Sequence, residues 1–119
     1  MNTVYMVGAG PGDPELITVK GQRIVNEADI IIYAGSLVNK AIIAGHKPDA
    51  EIFNSASMTL DDVIAVIKRG TAEGKKIARV HTGDPSIYGA IREQMDRLDE
   101  LGIPFDVIPG VSSFVASAA

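Results

Sequence analysis

Short apolar runs alternate with segments of helical spacing along the whole chain, and this alternation most constrains the fold. Between the runs, apolar residues recur three and four positions apart, as in the series from Leu60 to Ile67. Strands that alternate with helices pair in parallel through right-handed crossovers. The pattern therefore predicts an α/β fold with a five-stranded, mainly parallel sheet flanked by helices. The predicted strands are 3–7, 29–33, 51–53, 76–82 and 104–108.

Capping residues set the bounds of the predicted helices. A helix commonly begins at Asp, Thr or Ser and ends at a glycine. The first predicted helix begins at Asp13, with Pro14 at its first position, and the second covers 36–44 and ends at Gly45. The third begins at Thr59, the fourth lies within 85–101 and ends at Gly102, and the fifth begins at Ser112.

Composition limits the classes of function. A chain of 119 residues corresponds to about one domain. It has no cysteine and only two histidines, His46 and His81, so a metal site is not expected. The net charge of −4, without a basic run, argues against nucleic acid as a partner. With neither a signal-peptide pattern nor an apolar run of membrane-spanning length, we expect a cytoplasmic protein with no membrane partner.

The segment GAGPGDPELIT, residues 8–18, follows the first predicted strand and at first sight matches a dinucleotide-binding loop. That fingerprint has glycines at its first, third and sixth positions. Gly8 and Gly10 fit, but Asp13 occupies the sixth position, where it also suits a helix cap. Pro11 removes a backbone N–H from a loop that would bind phosphate through such groups. The loop is therefore not expected to hold a pyrophosphate.

Two more glycine-containing segments follow predicted strands. TGDPSIYG, residues 82–89, contains Gly83, which permits close backbone approach, and Asp84, which either binds ligand or caps the next helix. PGVSS, residues 109–113, has serines that either cap the last helix or bind ligand. Because the carboxyl ends of parallel strands share one edge of a sheet, the three loops predict one shared binding site.

Together, GAGPGDPELIT, HTGDPSIYG and PGVSS, in this order and spacing, resemble the tetrapyrrole methylases. Members of that family use S-adenosylmethionine to methylate uroporphyrinogen and corrin precursors. The resemblance covers the whole chain as the first of two α/β domains. ADIIIYAGSLV, residues 28–38, and TGDPSIYGAIREQ resemble the branch that methylates C-11 of precorrin-4 or cobalt-precorrin-4 in cobalamin biosynthesis.

The resemblance implies a site for S-adenosylmethionine that is shared with a second domain. The methyl donor carries a sulfonium, an ammonium and a carboxylate but no phosphate, which agrees with a first loop that is not a phosphate cradle. The implied cofactor-binding residues are Pro11, Thr82, Gly83, Asp84, Ile87, Ser112 and Ser113, and the implied substrate-binding residues are Gly10, Gly12 and Asp13. A tetrapyrrole substrate and a homodimer of the full-length protein are implied as well.

No general base is assigned by the sequence. The branch that methylates uroporphyrinogen has an Asp after the tyrosine of its second strand, whereas Tyr33 is followed here by Ala34. Alignment of a methyl donor with an electron-rich carbon can lower the barrier by roughly 7–11 kcal/mol. The substrate proton could leave to water or to a group in the second domain.

Five basic residues are candidate partners for the carboxylates of a tetrapyrrole. Because Lys and Arg are mostly exposed in folded proteins, we expect a solvated surface position for each of them. They are Lys20, Arg23, Lys40, Arg79 and Arg92.

Other interpretations remain open. The chain stops at Ala119 inside a predicted helix, SFVASAA, so residues 1–119 are expected to be an N-terminal domain whose C-terminal domain is absent. A dinucleotide-binding oxidoreductase domain, a tetrapyrrole methylase acting at another ring carbon, and a non-catalytic module are the alternatives. The sequence does not distinguish a substrate that contains cobalt from one that does not.

Overall fold

A computed structural model describes residues 4–9, 17–33, 40–81 and 88–108. The elements, in chain order, are β1 (Val4–Gly8), α1 (Val19–Glu27), β2 (Ile30–Tyr33), β3 (Glu51–Asn54), α2 (Leu60–Ala72), β4 (Ile77–His81), α3 (Tyr88–Glu100) and β5 (Phe105–Ile108), with 3-10 turns at Lys40–Ile42 and Ser55–Ser57.

The five strands form one parallel sheet in the order β3-β2-β4-β1-β5. All five predicted strands are confirmed, with ends that differ by at most one residue. Since β4 lies between β2 and β1, three of the connections pass over a neighbouring strand. The chain crosses β4 on its way from β1 to β2, crosses β2 on its way from β3 to β4, and crosses β1 on its way from β4 to β5.

Helices cover both faces of the sheet, and each face has its own apolar core. Successive strand residues point to opposite faces. On one face Val80 packs in a cluster with Val25 of α1. On the other, Met6 packs in a cluster with Ile67 of α2 and Leu98 of α3. Fully burying an aliphatic side chain of this size is favourable by about 1.5–3 kcal/mol, so the two clusters fix which helix lies on which face.

Helix α2 begins and packs as the sequence predicts. The Thr59 hydroxyl accepts a hydrogen bond from the Asp62 backbone N–H at 3.1 Å, and the Asp62 carboxylate accepts one from the Thr59 N–H at 3.0 Å. This reciprocal pair is a capping box. Near the other end, a Cβ on Gly70 would lie 2.7 Å from Ile30 Cδ1 and 2.8 Å from Ile77 Cδ1. The helix therefore lies so close to the sheet that a side chain at this position would displace the ends of two isoleucines.

Helix α1 begins later than the sequence predicts. The expected start at Asp13 is wrong for the helix that contains Ile24, because Thr18 is extended (φ −68°, ψ 156°) and the helix begins after it. The Thr18 hydroxyl accepts a hydrogen bond from the Gly21 N–H at 3.0 Å. Asp13 and Thr18 both have side chains that cap helices, and Thr18 is the residue at the start of this helix. Asp13 lies outside the described residues.

The helix expected over 36–44 is also wrong where the structure describes it. Residues from Lys40 onward form a 3-10 turn followed by further turns. Their hydrogen bonds span three residues, as in the 3.2 Å bond from Ile43 N to Lys40 O. Residues 34–39 and the helix expected at Ser112 lie outside the described ranges.

The predicted end of α3 is confirmed by the backbone. Gly102 has φ +70°, a left-handed conformation that glycine adopts without strain. The Gly102 N–H donates to the Asp99 carbonyl at 3.1 Å, and Ile103 N donates to Leu98 O at 2.9 Å. These bonds close the helix and turn the chain into β5. None of the helices within the described ranges is long and apolar enough to cross a bilayer.

Candidate active site

A topological switch point lies between β1 and β4. The connection that leaves β1 runs toward β2 with α1 on one face of the sheet. The connection that leaves β4 runs in the opposite direction, toward β5, with α3 on the other face. The two connections thus leave neighbouring strands toward opposite faces of the sheet, each passing over the other strand. Open α/β sheets bind ligands in a crevice beyond the carboxyl ends of such strands.

The strand ends at this crevice are close together and in register. Gly8, the last residue of β1, is the partner of His81, the last residue of β4. The Ala9 N–H donates a hydrogen bond to the His81 carbonyl at 2.7 Å. Ile108, the last residue of β5, is the partner of Val7 on the other side of β1. The segments that follow these strands therefore start one strand spacing apart, about 4.8 Å.

The predicted site residues lie in those following segments. All of them are outside the described residues, so the structure describes only the strand and helix ends that flank them. They are Gly10, Pro11, Gly12, Asp13, Thr82, Gly83, Asp84, Ile87, Ser112 and Ser113.

The expectation that Arg79 is a solvated surface residue is wrong. Its side chain is 5% exposed, on the sheet face covered by α2 and α3. Removal from water lowers the pKa of Arg79 to about 10, so the guanidinium is still charged at neutral pH. The other four basic candidates are exposed, as expected: Lys20, Arg23, Lys40 and Arg92.

The Arg79 guanidinium is held by neutral oxygens. Nε donates to Oε1 of Gln94 on α3 at 2.9 Å. Nη1 donates to the Val80 carbonyl at 3.2 Å and to the Ile32 carbonyl at 3.3 Å. Within the described ranges, no carboxylate forms an ion pair with Arg79. One side chain thus joins β2, β4 and α3 near the carboxyl edge of the sheet.

A cleft of about 200 Å³ opens beside this arginine. Ser55 and Thr59 line one side of it, and Arg79 and Gln94 line the other. The Ser55 hydroxyl donates to the Tyr33 carbonyl at 3.0 Å, which ties the end of β3 to the end of β2. The cleft lies at the same sheet edge as the crevice, on the α2 and α3 face.

Gln94 is a residue that the sequence analysis did not single out. The signal that could have found it is Arg79 itself, in the run IARVH of a strand predicted to be buried. A charged side chain in such a strand needs polar partners, and the following helix is the nearest source of one. In the part of the chain that the structure describes, no group of three acidic or histidine side chains is placed to hold a metal ion.

Fold and crevice define a doubly wound α/β domain whose ligand site lies beyond the carboxyl ends of its strands. A family model described as Tetrapyrrole (Corrin/Porphyrin) Methylases matches residues 3–119. The chain belongs to this family.

Relatives from two branches of the family resemble the chain. A cobalt-precorrin-4 C(11)-methyltransferase of Methanocaldococcus jannaschii is 58% identical over 98% of this chain and 45% of its own length. The X-ray structure of a cobalt-precorrin-4 methyltransferase has a TM-score of 0.90 at 47% identity, over 98% of this chain and 48% of that one. A Thermus thermophilus uroporphyrin-III C-methyltransferase, complexed with S-adenosylhomocysteine, has a TM-score of 0.77 at 33% identity, over 98% of this chain and 48% of that one. The chain spans about half the length of the curated relatives it matches.

Proposed function

We propose that this chain is the first of two domains of an S-adenosylmethionine-dependent methyltransferase that acts on C-11 of precorrin-4 or cobalt-precorrin-4 in cobalamin biosynthesis. The observation that carries the proposal is the switch point between β1 and β4. The segments that leave these strands contain the two longest family motifs, GAGPGDPELIT and HTGDPSIYG. The 58% identity to a cobalt-precorrin-4 methyltransferase supports the choice of substrate.

The described edge fits a cofactor that carries no phosphate. β1 ends at Gly8, and Ala9 follows it, so no charged side chain lies at the end of this strand. The charge of Arg79 is taken up by Gln94 and two carbonyl oxygens on the α2 and α3 face. Arg79 is therefore not presented to a phosphate at this edge, which agrees with the solved relative complexed with S-adenosylhomocysteine.

The residues proposed to hold the cofactor flank this edge. Thr82, Gly83 and Asp84 follow β4 directly, and Ile87 precedes α3. Pro11 follows β1, and Ser112 and Ser113 follow β5. Gly10, Gly12 and Asp13, also after β1, are proposed to face the substrate. The Asp84 carboxylate would accept hydrogen bonds from the ligand, and Gly83 would let the backbone come close to it.

When bound, the cofactor would supply a methyl group on a sulfonium, whose S–C bond breaks as the new C–C bond forms, and a proton is lost from elsewhere on the substrate macrocycle. This chain would hold the two reactants in line. Alignment alone can supply roughly 7–11 kcal/mol of such a barrier. None of the described side chains is assigned as the acceptor of the proton.

Ligand binding and product analysis test the proposal in the full-length protein. Calorimetric titration should show binding of S-adenosylhomocysteine and none of NADH. Methyl transfer from the labelled cofactor to precorrin-4 or cobalt-precorrin-4, with the new carbon located by NMR, should place the label on C-11. A label on another ring carbon would overturn the choice of branch, and binding of NADH alone would favour an oxidoreductase domain.

We also propose that the full-length protein is cytoplasmic and a homodimer, with a corrin precursor as its small-molecule partner. Val19 is 87% and Val107 54% exposed, and such apolar side chains support a surface that is covered in the full-length protein. Sedimentation of the full-length protein tests the dimer.

A further inference from the structure

Arg79 occupies an unusual position for a charged side chain. It is the third residue of β4, and it is in register with Met6 of β1 and Ile32 of β2. A central strand of a parallel sheet is normally apolar on both faces. Its neighbours in sequence, Ala78 and Val80, are fully buried on the opposite face. The guanidinium is therefore enclosed by the sheet below and by α2 and α3 above.

Burial of the Arg79 charge costs free energy that hydrogen bonds must offset. Transfer of a charged group from water into a protein interior is unfavourable unless hydrogen bonds replace its water. Gln94, which is also 5% exposed, supplies one of these bonds, and the carbonyls of Ile32 and Val80 supply two. Arg79 and Gln94 are the two buried polar or charged side chains in the described part of the chain.

The two residues flank the segment that the family motif marks. Arg79 precedes the end of β4 at His81 by two positions, and Gln94 lies in the second turn of α3, which begins at Tyr88. The bond between them therefore joins both arms of the β4–α3 connection. Through Ile32 the same guanidinium also holds the end of β2, before segment 34–39.

We propose that Arg79 and Gln94 are positioning residues that hold the two ends of segment 82–87, and that this sets the affinity of the site for S-adenosylmethionine and its product. The proposal rests on the proposed function for the identity of the ligand. The pair touches no ligand itself. A planar guanidinium with several fixed donors suits this task better than an ammonium, which lacks the fork geometry.

Substitutions of Gln94 test the pair while the Arg79 side chain and its bonds to the Ile32 and Val80 carbonyls are kept. Gln94→Met keeps the length of the side chain and removes the oxygen that accepts from Arg79 Nε. Gln94→Glu keeps an acceptor and adds a charge partner. Arg92→Met is the matched control, because Arg92 is an exposed residue of the same helix. Each variant is made in the full-length protein.

Two measurements are made on each variant, besides its melting temperature. Calorimetry gives the affinity for S-adenosylhomocysteine, and amide hydrogen exchange of peptides over 82–87 in the free protein reports how firmly the segment is held. Gln94→Met should weaken binding about 3- to 30-fold, the usual scale for a residue that acts through its neighbours, and should speed exchange over 82–87. Gln94→Glu and Arg92→Met should keep the affinity of the wild type.

The outcomes separate positioning from general stability and from the choice of ligand. A lower melting temperature for Gln94→Met, with unchanged affinity and unchanged exchange over 82–87, would overturn the proposal and leave the pair as part of the core. If Gln94→Met does not fold, Gln94→Glu decides, since weaker binding or faster exchange in that variant contradicts it. A wild-type protein that does not bind S-adenosylhomocysteine would overturn the proposed function, whereas the exchange rates would still decide the positioning role.

Discussion

At the scale of single residues, one charge and a few contact distances constrain this domain most. Arg79 shows that a strand pattern can include a buried cation when a helix supplies its partner. The same edge is flanked by small residues, Gly8 and Ala9, at the end of β1. Truncation of Arg79 or Gln94 would remove atoms that form hydrogen bonds. A larger side chain at Ala9, which is buried, would instead add atoms where the fold leaves little room. Substitutions should therefore separate residues that hold the site from residues that bind in it.

Asp84 is expected to be one of the residues that bind the cofactor directly. Asp84→Asn keeps the size of the side chain and most of its capping ability, since Asn and Asp are similar helix caps. If the carboxylate accepts charge-assisted hydrogen bonds from the cofactor, their loss should cost about 1.5–3 kcal/mol of binding. That is a weakening of roughly 10- to 150-fold for S-adenosylhomocysteine, measured by calorimetry on the full-length protein.

The control for Asp84 is Asp99→Asn, on the exposed side of α3. It removes the same charge away from the crevice and should leave the affinity unchanged. An affinity of Asp84→Asn equal to that of the wild type, with an equal melting temperature, would show that Asp84 only caps a turn.

Gly70 is expected to be intolerant of even one methyl group. A Cβ there would lie 2.7 Å from Ile30 Cδ1 and 2.8 Å from Ile77 Cδ1, closer than carbon atoms approach. Overpacking of a core costs about 1–3 kcal/mol, whereas alanine gains about 1 kcal/mol over glycine in a helix. Gly70→Ala should therefore lower the free energy of unfolding, by up to about 2 kcal/mol.

Chemical denaturation measures this effect. Lys68→Ala, an exposed position in the same helix, is the control and should change stability by less than about 0.5 kcal/mol. A more stable Gly70→Ala variant would mean that α2 can move away from the sheet at no cost.

At the scale of elements, the sequence predicts those strands and helices whose bounds depend on interactions within a few residues. The strands and α2 follow from apolar periodicity and from the Thr59 capping box, which act within a few residues. The start of α1 does not, because Asp13 and Thr18 both have the chemistry of a cap. Gly21 lies against β1, where a Cβ would be 3.2 Å from Val7 Cγ1, and that packing is invisible in the local sequence. Gln94 was missed for the same reason, since its partner is on another element.

Asp29 links elements at the amino edge of the sheet. Its carboxylate accepts hydrogen bonds from the Lys47 ammonium and from the Lys76 backbone N–H, which precedes β4. The Lys47 bond, followed by the Lys76 bond, holds the pKa of Asp29 below its ordinary value. A carboxylate whose pKa is lower in the folded chain than its unfolded value of about 3.9 stabilises the fold above that pH. That contribution is lost as pH falls through the folded pKa.

Asp29→Asn should therefore destabilise the protein at neutral pH and much less in acid. Denaturant unfolding of wild type and variant at several pH values between about 7 and 2 measures the difference, which should shrink below about pH 4 as the Asp29 carboxylate becomes protonated. Asp99→Asn is the control, an exposed carboxylate of α3. A difference in stability that is constant over this range would contradict the link to ionisation.

At the scale of the whole molecule, this chain provides two covered sheet faces and one crevice. It spans about half the length of the curated relatives it matches. Some apolar side chains of the described residues are left exposed, with Val19 at 87% and Val107 at 54%. Exposed apolar surface promotes association when no partner covers it. Residues 1–119 on their own should therefore self-associate as concentration rises, which sedimentation velocity measures, and a strictly monomeric chain would contradict this.

The proposed two-domain organisation also predicts how residues 1–119 behave on their own. The two family motifs flank β1 and β4, so the chain should keep some contacts with S-adenosylhomocysteine. In the proposed two-domain arrangement, the contacts made by the second domain are lost. The chain should fold cooperatively, bind S-adenosylhomocysteine more weakly than the full-length protein, and transfer no methyl group to precorrin-4 or cobalt-precorrin-4. Circular dichroism, calorimetry and a labelled-methyl assay measure the three properties. Turnover by residues 1–119 at the rate of the full-length protein would show that the crevice at this one sheet edge is the complete active site.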